Sequence, residues 1–143
     1  MNEWEKAVAG LSDDDWKQIE DLNSRIQTHT SSWGEMITES KTEPGTMVWP
    51  YPDEDPLIRE FIELWYEKNL VVPFDWGHWQ EGRDWYANTD DSKYDTLDYE
   101  TALKLLTAVI RNDRFNDGAI LRSFESGDFP KIINKFTALK GKK

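Results

Sequence analysis

The chain has 143 residues, enough for one domain with a sizeable core, and 38% of them are hydrophobic. Eight Trp, five Tyr and six Phe exclude a disordered chain, because such chains are poor in aromatic residues. The lack of cysteine in the sequence excludes disulfides, thiolate metal sites and a Cys nucleophile. The formal net charge of −11 argues against direct binding to a nucleic-acid backbone, which requires a basic surface.

Helix signals open the chain. A short helix over about residues 3–9 is predicted to end at Gly10. Ser12 is a predicted N-cap, and the three acidic residues after it suit the positive end of a helix dipole. Apolar residues then recur at helical spacing as far as Ile26, which predicts a second, longer helix.

The pattern changes between residues 28 and 53. This stretch is rich in Ser, Thr, Gly and Pro, so we expect a long loop with at most a short extended piece at residues 47–49. Its aromatic side chains are expected to dock on the body of the protein. These are Trp33, Trp49 and Tyr51.

Asp55 and the proline after it predict the start of the next helix, which Asn69 can end. Residues 70–72 are apolar and form the most plausible strand. Asp75 can cap a helical turn that carries Trp76 and Trp79.

The sequence ANTDDSKYDT, residues 87–96, is expected to be a solvated acidic linker. It lacks the glycine and the closing glutamate of an EF-hand calcium loop. Asp98 then opens the main helix, Gly118 marks a break, and a second helix ends at Gly127. A last helix begins just after Gly127.

These elements predict an all-α or mostly α fold. We expect one compact domain over residues 1–143 with five or six helices, a long aromatic loop and at most one short strand or hairpin. Residues 138–143 should form a frayed basic tail. No stretch of sequence has the apolar length of a membrane span or a signal peptide, so we expect a cytoplasmic protein with no membrane partner.

The main helix ends in the charged sequence RNDRFNDG, residues 111–118. On a helical wheel of about 100° per residue, Asp113 continues the buried face, Arg114 lies at its edge and Arg111 points away. A carboxylate on a buried face is costly unless it has partners. Asp113 is therefore the residue in this segment that requires an explanation.

Three interpretations of Asp113 are open. Its carboxylate can accept hydrogen bonds from the first amides of the following helix and close a tight turn. It can pair with an arginine, with Arg59, Arg83 and Arg122 as candidates. It can also line a pocket together with neighbouring arginines, although cations also suit the last turn of any helix.

Three motifs at and around this helix resemble a known family. They are PFDWGHW (residues 73–79), LLTAVIRNDRFNDG (residues 105–118) and FESG (residues 124–127). Together they are similar to the motifs of small bacterial and phage proteins grouped as domain of unknown function 6508. The resemblance covers about residues 52–136, a family-like core, and does not extend to residues 1–47. It implies a grouping and brings no mechanism with it.

The resemblance also implies that certain residues in these motifs act together. Asp, Arg and Glu members of such a set often form a buried polar network or a ligand site, whereas apolar members can belong to the core. The set comprises Asp75, Trp76, Trp79, Arg111, Asp113, Arg114, Phe115, Gly118, Glu125 and Gly127.

Catalytic motifs are sparse. The chain has two histidines, His29 and His78, and it contains neither G-x-S-x-G, nor H-E-x-x-H, nor a phosphate-binding glycine loop. His78 lies between two tryptophans and is more typical of a packed or surface histidine than of a base. We therefore expect a non-enzymatic protein with no metal and no cofactor, and a small enzyme of unknown reaction is the remoter alternative.

A binding site is easier to build from this sequence. Arg111 and Arg114 can fork onto a phosphate or carboxylate, and Trp76, Trp79 or Phe115 can stack on a base. The leading hypothesis is therefore a protein that binds a small anionic, nucleotide-like ligand. We expect Asp75, Asp113 and Glu125 to belong to the same site. In a phage, such a protein would sequester a signal of the host.

The alternative hypothesis is an acidic interaction protein. Acidic runs at residues 13–15, 53–55, 89–91 and 95–98 could occupy the basic or nucleic-acid-binding surface of a host defence protein. The two hypotheses differ in their requirements. The ligand-binding protein needs its arginines, whereas the acidic inhibitor needs its surface carboxylates.

Overall fold

The computed structural model describes residues 2–140. Over that range the chain forms seven α-helices, two 3-10 helices and one antiparallel hairpin. The α-helices are α1 (Glu3–Ala9), α2 (Asp13–Gln27), α3 (Pro56–Glu67), α4 (Gln80–Ala87), α5 (Tyr99–Asn112), α6 (Ala119–Glu125) and α7 (Asp128–Ala138). The strands are β1 (Gly34–Glu39) and β2 (Met47–Glu54), and the 3-10 helices span Trp76–His78 and Asp91–Thr96. The mostly α class is confirmed, with more helices than the five or six expected.

The predicted helix starts are confirmed by their caps. The Ser12 hydroxyl accepts a hydrogen bond from the Asp15 amide, and the Asp15 carboxylate accepts one from the Ser12 amide, both at 3.0 Å. Asp55 and Asp98 each accept an amide hydrogen bond from the first turn of α3 and α5, respectively. Part of the acidic surplus therefore stabilises helix ends.

The core lies between α2, α3, α5, α6 and α7 and is rich in aromatic side chains. Phe61 and Phe124 meet edge to face with ring centroids 5.9 Å apart, and Trp65 meets Phe136 in the same way at 5.4 Å. The fully buried aromatic side chains are Phe61, Trp65, Phe124, Phe129 and Phe136.

The hairpin replaces most of the expected long loop. The extended piece predicted at residues 47–49 is the start of β2, but the pairing strand β1 was not predicted. Trp33 docks as expected, with its ring centroid 4.8 Å from that of Phe124. The same expectation was wrong for Trp49 and Tyr51, which β2 holds in solvent.

The strand predicted at residues 70–72 was wrong. Leu70 and Val72 are buried, but the segment is irregular and has no partner strand within residues 2–140. Asn69 takes a left-handed conformation (φ 60°), and the Leu70 amide bonds back to the Trp65 carbonyl at 2.9 Å. The apolar run therefore reflects burial directly after α3 rather than membership of a sheet.

The segment expected to be a solvated linker is ordered. Lys93 donates hydrogen bonds to the carbonyls of Trp85 and Asn88 at 3.2 and 2.8 Å, and its ammonium lies 4.2 Å from the centre of the Trp85 ring. The predicted basic tail is ordered at its start, where the Lys140 ammonium lies 3.2 Å from the Glu20 carboxylate. The rest of the predicted basic tail, residues 141–143, lies outside the described residues.

Candidate functional site

Asp113 closes the turn between α5 and α6. Its carboxylate accepts a hydrogen bond from the Ile120 amide at 3.1 Å, as the first of the three interpretations requires. Within residues 2–140 it forms no ion pair, and Arg122 instead bonds the Asn116 side chain at 2.9 Å. Asp113 therefore organises this turn.

Gly118 is required where the turn enters α6. Its φ of 89° lies in the left-handed region, which favours glycine. A Cβ atom at this position would lie 2.7 Å from the sulfur of Met36 in β1, so any larger residue would collide with the hairpin. The break predicted at Gly118 is confirmed.

Trp76 lies against the C-terminal half of α5 because the 3-10 helix that begins with it contacts that helix. Its ring is stacked near that of Phe115, with centroids 6.3 Å apart and planes 28° from parallel. One side of Trp76 borders a cleft of about 230 Å³, which we call the Arg111 cleft. It is lined by Tyr66, Trp76, Ile110, Arg111, Arg114 and Phe115.

Trp76 also lines a second cleft of about 200 Å³, which we call the Arg83 cleft. Its lining includes Trp79, whose ring packs edge to face on Phe74 at 5.4 Å. A Cβ atom on Gly82 would lie 2.3 Å from the Trp79 ring, so the glycine lets this ring lie directly on α4. The other lining residues are Arg83, Tyr86, Ala108, Val109 and Asn112.

The two clefts form a cationic surface on an acidic protein. Between them they present Arg83, Arg111 and Arg114, and none of the described residues that line them is acidic. Arg83 donates a hydrogen bond to the Gly77 carbonyl. Arg111 and Arg114 form neither an ion pair nor a side-chain hydrogen bond with any residue in the range 2–140.

Tyr86 supplies the hydroxyl group at the base of the Arg83 cleft. This hydroxyl donates a hydrogen bond to the Leu105 carbonyl at 2.8 Å, and burial raises the pKa of Tyr86 well above its usual value. The side chain therefore remains neutral at physiological pH. The clefts offer cationic donors and ring faces, which suit binding, and Tyr86 is poorly suited to act as a base.

The structure brings together four of the predicted site residues. Arg111, Arg114, Phe115 and Trp76 line the Arg111 cleft, and Trp79 lines the Arg83 cleft. Tyr66 was missed, because nothing in its spacing on α3 distinguishes a cleft residue from any exposed one.

The three predicted acidic members lie outside both clefts. Asp75 is exposed, and its carboxylate lies 2.9 Å from Nδ1 of His78 rather than capping the turn. Asp113 lies on the α6 side of α5, and Glu125 is exposed near the end of α6. They are therefore not part of the lining of either cleft.

Asp113 borders a separate groove beside the end of β2. Glu54 lies in the same groove, where burial and the charge of Asp113 raise its pKa while Arg59 opposes that shift. The groove is mainly acidic and does not share lining residues with the two clefts.

His29 does not form a nucleophilic triad. Both Asp55 and Ser31 approach Nε2 of its ring, at 2.9 and 3.3 Å, whereas a triad places the carboxylate and the nucleophile on opposite nitrogens. The ring is stacked on Trp33 with centroids 3.7 Å apart. His29 thus joins the end of α2 to the start of α3.

Residues 2–140 offer neither a metal site nor a membrane span. No group of three or more His, Asp or Glu side chains is placed to hold a metal ion. None of the described helices has the length and apolar character to cross a membrane.

Fold and site together define a mostly helical protein with an arginine-rich aromatic surface on an acidic body. The chain belongs to the family of unknown function DUF6508, whose family model matches residues 11–142. The match begins well before residue 52, so it includes α2 and the hairpin, which the motif resemblance left out. Neither the curated proteins nor the solved structures contain a match to this chain.

Proposed function

We propose that this protein binds a small anionic ligand carrying a planar ring, of nucleotide type, across the two clefts that flank Trp76. The observation that carries the proposal is the pair Arg111 and Arg114. These two guanidinium groups have no acidic partner among residues 2–140, although the chain carries a net charge of −11. An anion at this site would supply the missing partner, since a guanidinium fork matches phosphate and carboxylate geometry.

The aromatic rings fit the rest of such a ligand. Trp76 and Phe115 are stacked on each other, with ring centroids 6.3 Å apart and planes 28° from parallel. Phe115 is 76% exposed, so its ring is open to a further planar group. A base can stack there beside Arg111 and Arg114, as bases do on aromatic side chains.

The size of the clefts indicates that the ligand contacts both sides of Trp76. Each cleft alone, at about 200 or 230 Å³, is smaller than the roughly 300–1,000 Å³ of typical small-molecule sites. The two together fall within that range. In this arrangement Arg83 would reach the ligand from one side of Trp76 while Arg111 and Arg114 reach it from the other.

We propose sequestration rather than conversion of the ligand. The described lining residues supply no carboxylate or histidine to act as a base, and Tyr86 holds its proton. For a phage-encoded member of the family, the sequestered molecule would be a signal of the host.

Native mass spectrometry of the gently purified protein tests the proposal directly. The expected result is a co-purified mass that disappears on denaturation. A panel of mono-, cyclic and dinucleotides would then be tested by calorimetry on the wild type and on Arg111→Gln/Arg114→Gln. Arg25→Gln, which removes an exposed arginine far from the clefts, is the matched control. If no panel member binds and crystal soaks leave both clefts empty, the proposal is wrong.

A further inference from the structure

Large exposed hydrophobic side chains occur in two places on the described surface. Tyr66 (46% exposed) and Phe115 line the Arg111 cleft. The other three are Met47, Trp49 and Tyr51, which are 71%, 92% and 45% exposed. They alternate along β2, so the hairpin carries a second apolar surface that the proposed ligand site does not explain.

Carboxylate side chains lie next to these apolar residues on the hairpin. In the hairpin register, Met47 lies opposite Glu39, and Asp53 lies opposite Glu35. Side chains of directly opposed residues project to the same face of an antiparallel pair. We call this surface the hairpin face, made of Met47, Trp49, Tyr51 and Asp53 on β2 with Glu35, Ile37 and Glu39 on β1. Ile37 lies opposite Tyr51 and is buried, and the register shifts between Ile37 and Glu39.

Lys41 shows how a cation sits on the hairpin face. It lies in the loop between the strands, and its ammonium donates a hydrogen bond to the Asp53 carboxylate at 2.9 Å. That bond and the charge of Asp53 raise the pKa of Lys41, with smaller contributions from Tyr51 and Glu35. The face thus carries three carboxylates, Glu35, Glu39 and Asp53, and Lys41 pairs with Asp53 alone, so the face retains a negative excess.

The free edge of β2 does not favour pairing with another strand. Pro50 and Pro52 lie in β2 and have no amide hydrogen to donate. A second copy that brings its own hairpin face to this one is also disfavoured, because two acidic faces would meet. A partner must therefore contact the side chains of the face and carry positive charge.

We propose that the hairpin face docks a protein segment in which Arg or Lys side chains alternate with apolar ones. The apolar side chains would cover Trp49 and Met47, the kind of exposed aromatic and Met anchors that dominate interfaces. The cations would pair with Glu35, Glu39 and Asp53, extending the contact that Lys41 already makes. This surface is separate from both clefts, so the inference does not rest on the proposed ligand.

The test is a selection from a displayed library of random short peptides on the immobilised protein. The expected result is enrichment of peptides that combine basic and apolar residues. Synthetic versions of the selected peptides should bind Trp49→Ser/Met47→Ser about tenfold or more weakly than the wild type. Glu35→Gln/Asp53→Asn should weaken binding as well, and salt should weaken it on the wild type.

Two controls make the outcome decisive. Phe115→Ser removes another exposed aromatic residue (76% exposed, against 92% for Trp49) from the Arg111 cleft and should leave peptide binding unchanged. The substituted hairpin residues are exposed, so the thermal midpoint of each variant should match that of the wild type. Selected peptides without basic residues, no selection above background, or equal binding to the hairpin variants would each overturn the inference. The inference would also be overturned if Trp49 inserted into phosphatidylcholine vesicles, seen as a blue shift of its fluorescence.

Discussion

Trp76 and Phe115 approach each other from distant parts of the chain, with ring centroids 6.3 Å apart. Trp76 follows α3 and begins a 3-10 helix, whereas Phe115 lies in the turn after α5. Phe115 is mostly exposed, so the pair contributes less to the core than a buried aromatic pair would. Phe115 lines the Arg111 cleft, and Trp76 lines both clefts.

The variant Phe115→Ala separates a role of Phe115 in the stability of the fold from a role in the proposed ligand site. We expect the free energy of unfolding to change by no more than about 0.5 kcal/mol, the usual range for exposed positions. Ligand affinity should fall by about 1–3 kcal/mol, the value of one base–aromatic stack. Thermal melts and calorimetry with the co-purified ligand measure the two quantities. A large loss of stability would assign Phe115 to the fold and remove it from the site.

Asp113→Ala should destabilise the protein by about 0.5–2 kcal/mol, because the Ile120 amide loses its acceptor at the start of α6. This is less than expected for breaking a buried ion pair, which costs about 3–5 kcal/mol. Asp113→Asn keeps an acceptor oxygen and should retain most of the stability. Urea unfolding of the three proteins distinguishes the cases, and an alanine variant as stable as the wild type would contradict the role of this hydrogen bond.

Gly82→Ala should destabilise the protein even though alanine usually stabilises a helix by about 1 kcal/mol relative to glycine. The added Cβ would lie 2.3 Å from the Trp79 ring, which would have to leave α4. The tryptophan fluorescence should change as well. Gly77→Ala is the matched control, since a Cβ atom there meets no atom within 4 Å. A gain of stability in Gly82→Ala would show that Trp79 adapts freely.

Local signals made the helices predictable. Ser12, Asp55 and Asp98 cap helices through atoms a few residues away, so their roles can be read from the sequence. β1 was missed because its partner comes after an intervening loop, and its pairing depends on register rather than on composition. Tyr66 was missed for a similar reason, because its place in a cleft depends on how α3 lies beside α5.

The chemistry of the site was also predictable only in part from the sequence. The wheel placed Asp113 correctly at the end of the buried face, and the structure then decided between a turn and an ion pair. The arginines were grouped by their motif, but the lack of acidic residues in the lining of the clefts could not be known from an acidic sequence. Charge balance at one surface depends on the arrangement of all the elements.

Glu54 and Asp55 are neighbours whose carboxyl pKa values shift in opposite directions. Burial and the charge of Asp113 raise the pKa of Glu54. Hydrogen bonds from His29 and the Leu57 amide lower that of Asp55. A raised pKa means that ionisation of Glu54 lowers the stability of the fold as the pH rises from its unfolded pKa through its folded one, and the full loss remains above that. A lowered pKa means that Asp55 stabilises the fold at neutral pH and loses this effect as the pH falls through its folded value.

Glu54→Gln should therefore increase the free energy of unfolding at pH 7, because it removes a charge that is partly buried beside Asp113. The gain should shrink on acidification and vanish below about pH 4.3, the usual pKa of a glutamate, where the wild-type side chain is also neutral. Asp55→Asn should show the reverse dependence, with a loss at pH 7 that fades on acidification. Urea unfolding at several pH values measures both, with Glu3→Gln on the exposed start of α1 as the control. A Glu54→Gln variant less stable than the wild type at pH 7 would contradict the repulsion from Asp113 and favour a stabilising contact with Arg59.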